Sequence, residues 1–548
     1  MLLAVTTARA DIFYTTNGDS LTVTGYVGGG SVTIPDSVDS MPVVAIGDNA
    51  FLSNFVAAVS VPDSVTNIGN HAFESCHFLT NATLGNGVVQ TGDNAFYDCF
   101  SLRSLTIPDS ALSLGVAACA YCPKLARVTL GNNLASLKDY TFYRCASLTD
   151  LTVPNSVASI GRSAFQFCGA LTNVMLGNGV TNVGDSAFFD CTSLTTINVD
   201  ASNPVYSCVD GVLFNQAQTS LFQYPAGKLG SYTIPATVTA IGGASFYLCV
   251  GLTGVTVPDT VLSIGDSAFE YCSSLPRLFL PASVTNIGNY AFVRCPSLTN
   301  IDVDPLNPAY SSINGVLFNH DHTTLIQYPA GKTGNYTVPN GVLNLGNYAF
   351  FGCTGLTSIQ LGTTVSIGFA AFDSCAHLPG VDFPNSVASI GSYAFNLCTG
   401  LSALAFPNSV TNVGSSAFFG CTTLTAAYFN GNAPVADASV FQGATNATVY
   451  YFPATTGWGP VFGGRPAVLW NPRIETAAPD FGVQTNQFGF TITGATNLVV
   501  VVEVSANPAL ARWSPLSTNV LAGGSDYFSD PGWTNYPARF YRLRAPEP

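Results

Sequence analysis

Cysteine is the residue type with the greatest chemical potential in this sequence, because the 548 residues include 15 Cys but only 5 His. Thiolates bind zinc, exchange disulfides and act as nucleophiles. Cys119-Ala-Tyr-Cys122 has the spacing of a redox pair, and His320-Asp321-His322 offers two possible metal ligands. An odd number of cysteines also leaves at least one unpaired. Redox or metal chemistry is therefore the first hypothesis to test against the spacing.

The spacing of the cysteines favours packing over chemistry. Ten of the twelve steps between thirteen of them are 22 or 23 residues, and the other two are 58. Phe stands three residues before all but one, and Leu stands three residues after each. A fixed period near 23 with apolar residues at fixed phase predicts stacked repeats. The cysteines of this predicted column are Cys76, Cys99, Cys122, Cys145, Cys168, Cys191, Cys249, Cys272, Cys295, Cys353, Cys375, Cys398 and Cys421.

Stacked repeats place the column cysteines about 4.8 Å apart, at the spacing of neighbouring strands. Since free Cys packs as a small apolar residue, we predict reduced structural thiols, with oxidation of some neighbouring pairs as the alternative. Cys119 occupies the Phe position of its repeat, so it is interpreted as a packing replacement and a redox Cys119/Cys122 pair is the alternative. His320 and His322 fall at a predicted hairpin tip and are interpreted as a solvated turn.

No catalytic, metal or cofactor site is predicted. The sequence has no phosphate-binding G-x-x-x-x-G-K-[ST], no G-x-S-x-G and no H-E-x-x-H, and its carboxylates and histidines do not cluster. Only 9% of residues are charged and the net charge is −14, which disfavours nucleic acid and anionic lipid as partners. No apolar run approaches the roughly 18 residues of a membrane span, so no membrane insertion is expected.

One copy of the repeat runs from Leu148 to Cys168. Alternating apolar residues after Leu148 predict a short strand that ends at Pro154. A loop with a Gly at position 161 follows, and the stretch before Cys168 is expected to form one helical or 3₁₀ turn at most. Such a unit cannot bury its apolar face alone, so stacking must make the core.

The repeat Leu-Thr-x-Leu-x-Val-Pro-x-Ser-Val-x-x-Ile-Gly-x-x-Ala-Phe-x-x-Cys resembles the BspA-type leucine-rich repeat of bacterial surface and secreted proteins. The resemblance covers about residues 31 to 452. It implies a mainly β, right-handed solenoid with a parallel sheet, and adhesion to or binding of host or matrix macromolecules. It implies no catalytic residues.

The domain boundaries predicted from the sequence follow the limits of the repeat. Residues 1–10 resemble the tail of a secretion signal ending Ala8-Arg9-Ala10, with a frayed terminus as the alternative. Residues 11–30 are predicted to be an N-terminal β cap, 31–433 the solenoid, 434–471 its C-terminal cap, 472–479 a linker and 480–548 a small β-sandwich-like module.

Two repeats are longer than the others, at about 199–234 and 303–338, and they account for the two steps of 58 residues. Each has 35 residues and replaces the Ala-Phe-x-x-Cys turn with two predicted strands. We expect a hairpin that projects from the side of the solenoid as a possible contact point, with a decoration that binds nothing as the alternative.

The candidate binding surface is the outward face of the predicted sheet, at the fourth, fifth and seventh positions after each cysteine. Thr dominates it, which β-propensity alone can explain. The alternative is a flat polar surface for an extended protein or glycan. Its residues are Thr80, Arg103, Thr106, Arg127, Thr149, Thr152, Thr172, Thr195, Asn198, Thr253, Thr256, Arg277, Phe279 and Thr299.

The sequence therefore predicts a secreted or cell-surface binding protein, not an enzyme, that recognises an extracellular protein or glycan with its repeat surface. The alternative is a structural or self-assembling envelope protein that associates with itself and is attached by its C-terminal module. An enzyme on a repeat scaffold would require a cleft with convergent ionisable groups.

Overall fold

The computed structural model describes residues 11–508 and 512–546. The predicted signal remnant, residues 1–10, lies outside the described residues. Strands and turns form nearly all of the described chain, and within it the only helix is the 3₁₀ turn Trp533–Asn535. The chain divides into two compact units. The first runs to Leu298 and includes Val303–Ala309, and the second contains Thr299–Asp302 and the chain from Tyr310 onward.

The repeat folds into a coil that contributes one strand to a parallel sheet. In the strand Asp150–Val153, Leu151 and Val153 are buried while Thr152 is exposed, as the alternation predicts. Its neighbour Asn173–Leu176 runs parallel and in register. The mainly β solenoid predicted from the sequence is thus confirmed.

The stretch before each cysteine is a succession of turns and not a helix: Gln166 N–H donates to Ser163 O, and Cys168 N–H donates to Phe165 O. Ser163 and Phe167 have positive φ angles of 53° and 63°, and corresponding residues recur in the other coils. This conformation costs an L residue about 1 kcal/mol or more, so something must compensate. The backbone N–H of Ser163, Phe165 and Phe167 donates to carbonyls of the next coil at 2.9–3.0 Å. A backbone hydrogen-bond ladder therefore holds the turns together.

The Gly of the repeat is required by the closeness of adjacent coils. A Cβ atom on Gly161 would lie 2.4 Å from the backbone nitrogen of Asp139 in the preceding coil. Real Cβ contacts are never that short, so any larger residue would push the coils apart.

Aromatic rings stack along the core of each unit. In the first unit Phe142, Phe165 and Phe188 are nearly parallel, with ring centroids 5.6 and 5.5 Å apart. In the second, Phe372 and Phe395 stack at 4.9 Å. Each fully buried Phe contributes about 1.5–3 kcal/mol through removal of its surface from water. The core is thus a continuous column in each unit and not a globular centre.

The first unit contains two parallel ladders and an N-terminal hairpin. The hairpin strands Asp11–Asn17 and Ser20–Val27 are antiparallel, and Gly29–Thr33 already belongs to the main sheet because it pairs in parallel with Phe55–Ser60. The further strands on this side of the coils pair in a succession of separate short sheets, which are together called the main sheet here. They are Asn81–Thr83, Ser104–Thr106, Arg127–Thr129, Asp150–Val153, Asn173–Leu176, Thr196–Val199, Gly230–Thr233, Leu252–Thr256 and Arg277–Leu280, and Asn300–Val303 lies at the unit boundary.

The second ladder of the first unit is made of shorter strands. It begins with the N-terminal hairpin, because Ser20–Val27 pairs in parallel with Met41–Ile46, and Ser37–Val38 pairs antiparallel with the same strand. The others are Asn67–Ile68, Gln90–Thr91, Ser136–Leu137, Ser159–Ile160, Asn182–Val183, Ser220–Gln223, Ala240–Ile241, Ser263–Ile264 and Asn286–Ile287.

The long repeats do contain the predicted hairpins, Tyr206–Val209 with Val212–Asn215 in the first unit and Tyr310–Ile313 with Val316–Asn319 in the second. The prediction that the hairpins project from the side of the solenoid is wrong. Val212, Leu213 and Phe214 are at most 1% exposed. This strand is therefore packed into the core of the coils and pairs with Ser220–Gln223.

The second unit repeats the two-ladder arrangement. Its main-sheet strands are Gly334–Thr337, Leu356–Gln360, Ala403–Phe406, Ala426–Phe429, Thr448–Tyr451 and Arg465–Leu469, and Val461–Phe462 pairs antiparallel with the last of them. Its second-ladder strands are Thr324–Gln327, Asn344–Leu345, Ser366–Ile367, Ser389–Ile390 and Asn412–Val413. Trp458 closes the stack, with its ring centroid 5.1 Å from that of Tyr451.

The C-terminal segment forms two antiparallel sheets. One contains Arg473–Ile474, Gly482–Gln484, Gln487–Thr493 and Ser525–Asp530, and the other contains Leu498–Ser505, Ser514–Leu521 and Phe540–Arg544. Arg473–Ile474 lies within the predicted linker 472–479, so the chain enters the module directly from the last coil. Glu503 is buried between Arg542 and Arg544, with N–O distances of 2.7 and 2.6 Å.

This module packs on the outward face of the last coils. Tyr428, Tyr450 and Trp470 form one apolar cluster with module residues that include Phe490 and Val500. Parallel strands that are covered on both faces are apolar on both faces. The last coils accordingly have Ala and Tyr at outward positions where the first unit has Thr.

Candidate functional site

The outward face of the first unit's main sheet, here called the sheet face, is open to solvent. Thirteen of the fourteen predicted surface residues lie in the first unit, where only Asn198 is half-buried and the others are exposed; Thr299 belongs to the second unit and is also exposed. Arg103 and Arg127 lie on adjacent coils, while Arg277 lies several coils further along. Within the described residues, none of these three arginines forms an ion pair with a side chain.

The Thr hydroxyls of the sheet face are not all available as donors. Thr80, Thr172 and Thr195 each donate to the carbonyl of the equivalent residue one coil earlier, at 2.9, 3.0 and 3.1 Å. Thr149 makes the same contact at 3.4 Å. These bonds orient four side chains of the face, whose hydroxyl lone pairs remain available as acceptors. The Thr ladder thus has a structural role beside any role in binding.

The cysteine column has a hydrogen-bonding role that the sequence does not reveal. All thirteen column thiols are 0% exposed and free. Each donates to the backbone carbonyl of the residue in the Phe position of the preceding coil; for example, Cys168 Sγ lies 3.2 Å from Phe142 O. The distance lengthens to 3.8 and 3.7 Å for Cys249 and Cys353, which follow the long coils. The remaining distances are 2.9–3.2 Å.

Burial suppresses the reactivity of these thiols. It raises the pKa of Cys168 to about 12 and that of Cys76 to about 11, so both are thiols at neutral pH. Cys119 and Cys122 are equally inaccessible, and burial raises the pKa of Cys119 well above its ordinary value. A reactive redox pair needs an accessible thiolate, which this geometry does not provide. Cys208 lies outside the column and is half-buried.

The two histidines of the candidate metal pair are exposed on the turn after the second hairpin. The ring of His322 packs edge-on against Phe318. Across residues 11–508 and 512–546, no group of three or more His, Cys, Asp or Glu side chains is arranged to hold a metal ion.

A cleft of about 680 Å³ opens in the first unit beside the first long repeat. One wall is the turn Gly184–Asp190, another is formed by residues 243–247 and 266–270, and the long coil contributes Tyr206 and Phe222. The cleft exists because the long repeat has no Ala-Phe-x-x-Cys turn to stack between those walls. Sequence reasoning placed a contact point at this repeat but expected a projection, not a recess.

The lining of the cleft is acidic and aromatic. Asp185, Asp190, Asp266 and Glu270 are its charged residues, and no Lys or Arg is among the described residues that line it. Asp266 is partly engaged, since its Oδ1 accepts from the backbone N–H of Asn289 at 2.7 Å. The same contact recurs at other coils, so the carboxylate of Asp266 helps to hold the stack together.

The carboxyl groups of Asp190 and Glu270 have raised pKa values. Burial raises the pKa of Asp190 although Arg144 opposes the shift, and burial raises that of Glu270 against Ser267 and Arg294. Tyr247 lies near both, and burial together with these two carboxylates raises its pKa to about 12.

An aromatic ridge leads along the turns to the cleft, and sequence reasoning missed it. The rings of Tyr97, Tyr121, Tyr143, Phe167, Phe189, Tyr247 and Tyr271 contact one another in succession. Phe189 and Tyr247 stack across the mouth of the long repeat with centroids 4.0 Å apart. The guanidinium of Arg144 lies 4.7 Å from the Phe167 ring, a cation–π contact. The signal in the sequence was an aromatic residue one or two positions before each of the seven consecutive column cysteines from Cys99 to Cys272.

The fold is a repeat solenoid, and its first unit has an extended polar sheet face and an acidic cleft. The BspA type leucine rich repeat region model matches residues 44–139, 89–207, 215–333 and 328–448, and the chain belongs to this family. The predicted family is thereby confirmed. Proteins of this family are bacterial surface proteins, generally of the binding type and typically non-catalytic.

Solved structures similar to this chain are bacterial leucine-rich repeat proteins. One from Eubacterium ventriosum is 23% identical, covers 73% of this chain and 90% of its own, and has a TM-score of 0.46. A cell-surface protein from Faecalibacterium prausnitzii is 24% identical over 80% of this chain and 95% of its own, with a TM-score of 0.38. The pneumococcal vaccine antigen PcpA is 18% identical over 81% and 92%, with a TM-score of 0.31.

A search of curated proteins finds no significant match. In the part of the chain that the structure describes, no helix is both long and apolar enough to cross a membrane.

Proposed function

We propose that this protein is a secreted or cell-surface, non-catalytic binding protein that recognises an extracellular protein or glycan with its repeat array. The observation that carries the proposal is a contrast between two parts of the same kind of sheet. In the first unit the outward residues are mostly Thr and Arg and are exposed, whereas at residues 403–470 they are largely Ala and Tyr and pack against the C-terminal module.

The first unit's sheet face is suited to recognition because it is already ordered. Four of its Thr side chains, Thr80, Thr149, Thr172 and Thr195, are hydrogen-bonded to the backbone of the preceding coil. Binding costs free energy when mobile side chains must be ordered, so a rigid face loses less on association. Neighbouring coils bring Arg103 and Arg127 onto this face as charged groups that can donate to carboxylates or sulfates.

The alternative of a self-assembling envelope protein attached by its C-terminal module has no comparable support. Apolar residues of that module, including Phe490 and Val500, pack against the solenoid of the same chain. That part of its surface is therefore not available for attachment.

The test is a binding screen of the full chain against extracellular-matrix proteins and glycans by biolayer interferometry. For a ligand that binds, Thr106→Arg with Thr152→Arg adds bulk and charge to the sheet face without touching the core. Ala135→Arg with Ala158→Arg is the matched control, because both alanines are exposed and lie outside the main sheet. We expect the first pair to weaken binding about tenfold or more and the control pair to change it less than twofold. Uniformly negative binding, or equal loss in both pairs, would contradict the proposal.

A further inference from the structure

The first long repeat interrupts the backbone hydrogen-bond ladder of the turns. In an ordinary coil the N–H groups of Ser163, Phe165 and Phe167 donate to the next coil at 2.9–3.0 Å. Their equivalents one coil later are Ser186, Phe188 and Asp190, and within the described residues no acceptor faces these three N–H groups. All three residues line the cleft.

Unpaired backbone donors in a recess need a partner. Phe188 is only 3% exposed, and buried N–H groups in proteins are almost always paired with protein or water. In an ordinary coil such donors meet the carbonyls of every second residue of the next turn, as Ser163, Phe165 and Phe167 meet those of residues 185, 187 and 189. The cleft therefore keeps the backbone donors of a turn whose next coil supplies no acceptors, and carbonyls of every second residue of an inserted segment can accept from them.

The side chains around this gap select for positive charge. Asp190 and Glu270 are half-buried carboxylates whose neighbouring cations, Arg144 and Arg294, do not fully offset burial. Phe189 and Tyr247 lie beside them with their rings stacked on each other. Carboxylates that are short of counter-charge favour guanidinium and ammonium groups.

We propose that this cleft docks an extended, Arg- or Lys-bearing segment of a protein partner. The carbonyls of the segment accept from the N–H groups of Ser186, Phe188 and Asp190, as in strand addition to a sheet edge. Its basic side chains lie against Asp190 and Glu270. The inference rests on the proposed binding function and names a peptide, not a glycan, as the ligand at this site.

The first experiment measures fluorescence anisotropy of a labelled (Thr-Arg)₄ peptide with the full chain, against an uncharged (Thr-Ser)₄ peptide and a neutral hexasaccharide. Asp190→Asn with Glu270→Gln removes two charges from the cleft. Asp36→Asn with Asp259→Asn removes two exposed charges elsewhere in the same unit and is the matched control. We expect the cleft pair to weaken peptide binding about tenfold or more, and the control pair less than twofold. Unchanged thermal unfolding midpoints verify that both proteins are folded.

The second readout is hydrogen exchange, which reports on the backbone donors directly. In the free protein the amides of Ser186, Phe188 and Asp190 should exchange faster than those of Ser163, Phe165 and Phe167, and the peptide should slow only the former set. Equal loss of affinity in the two variant pairs, preference for the hexasaccharide, or no slowing at the cleft would overturn the inference. If matrix ligands still bind the sheet face in that case, the proposed function stands; if nothing binds, both fail.

Discussion

Replacing Cys168 by Ala or by Ser separates packing from hydrogen bonding in the cysteine column. The thiol is fully buried, and its Sγ lies 3.2 Å from Phe142 O. Cys168→Ala removes one sulfur, leaves a cavity of roughly one atom and leaves the carbonyl without this donor. Lost transfer energy and the cavity together amount to about 1–2 kcal/mol.

For Cys168→Ser, the cost of burying a hydroxyl is set against the hydrogen bond that it can form. From the sequence alone, Ser is expected to cost more than Ala, because a buried hydroxyl needs a partner. The structure supplies one, since a Ser Oγ can donate to the same carbonyl. A buried hydrogen bond contributes about 1 kcal/mol net, which offsets much of the desolvation of the hydroxyl. We therefore expect Ser to destabilise the fold no more than Ala does, by about 1 kcal/mol.

The assay is urea unfolding of the full chain followed by circular dichroism, with comparison of midpoints and slopes. Cys208→Ser is the control, since Cys208 is half-buried and outside the column, and it should change the free energy of unfolding by less than about 0.5 kcal/mol. If Cys168→Ser were more destabilising than Cys168→Ala by over about 1 kcal/mol, the thiol would not be acting as a donor and this reasoning would be refuted.

Three further predictions concern the coils, the cleft and the module. Gly161→Ala should lower the free energy of unfolding, measured with urea, by about 2–3 kcal/mol, because the new Cβ would lie 2.4 Å from a backbone nitrogen. Gly169→Ala is the control: its Cβ would meet nothing closer than 3.9 Å, so this change should be neutral or slightly stabilising. Binding of the basic peptide requires ionised Asp190 and Glu270, so its affinity should fall as the pH decreases through the pKa values of these two carboxyls. Because burial raises both pKa values, anisotropy titrations should show the loss of affinity beginning above the pH at which exposed carboxyls titrate. An affinity that does not change with pH would contradict this prediction. Ala405→Arg should displace the module from the last coils, which limited proteolysis would detect as faster cleavage around residues 473–546.

The regular part of the fold was predictable because each inference rested on many equivalent residues. Positions such as Leu151 and Cys168 recur at one phase, and a recurring apolar position has only the stacked core to occupy. The conformation of the turn was harder to predict, because nothing in the residue types at Ser163 and Phe167 specifies a positive φ. The backbone hydrogen bonds to the next coil compensate for the cost of that conformation.

The candidate site was harder to predict because it depends on what is missing. The strand Val212–Asn215 turns inward since its three apolar residues must be buried, and the gap it leaves beside Asp190 follows from stacking, not from local sequence. Likewise, the hydroxyl of Thr172 is committed to a carbonyl one coil earlier, which only the register reveals. Outward exposure itself was correctly read from the alternation around Leu151.

The most direct test of the central proposal, that the repeat array of this protein binds an extracellular macromolecule, is hydrogen-exchange mass spectrometry of the full chain with the tightest ligand from the matrix and glycan screen. The account predicts that the protected peptides lie in the first unit, in the main-sheet strands from Ser104–Thr106 to Arg277–Leu280 or at the turn Gly184–Asp190. Protection confined to residues 473–546, or the absence of any ligand in the screen, would contradict it.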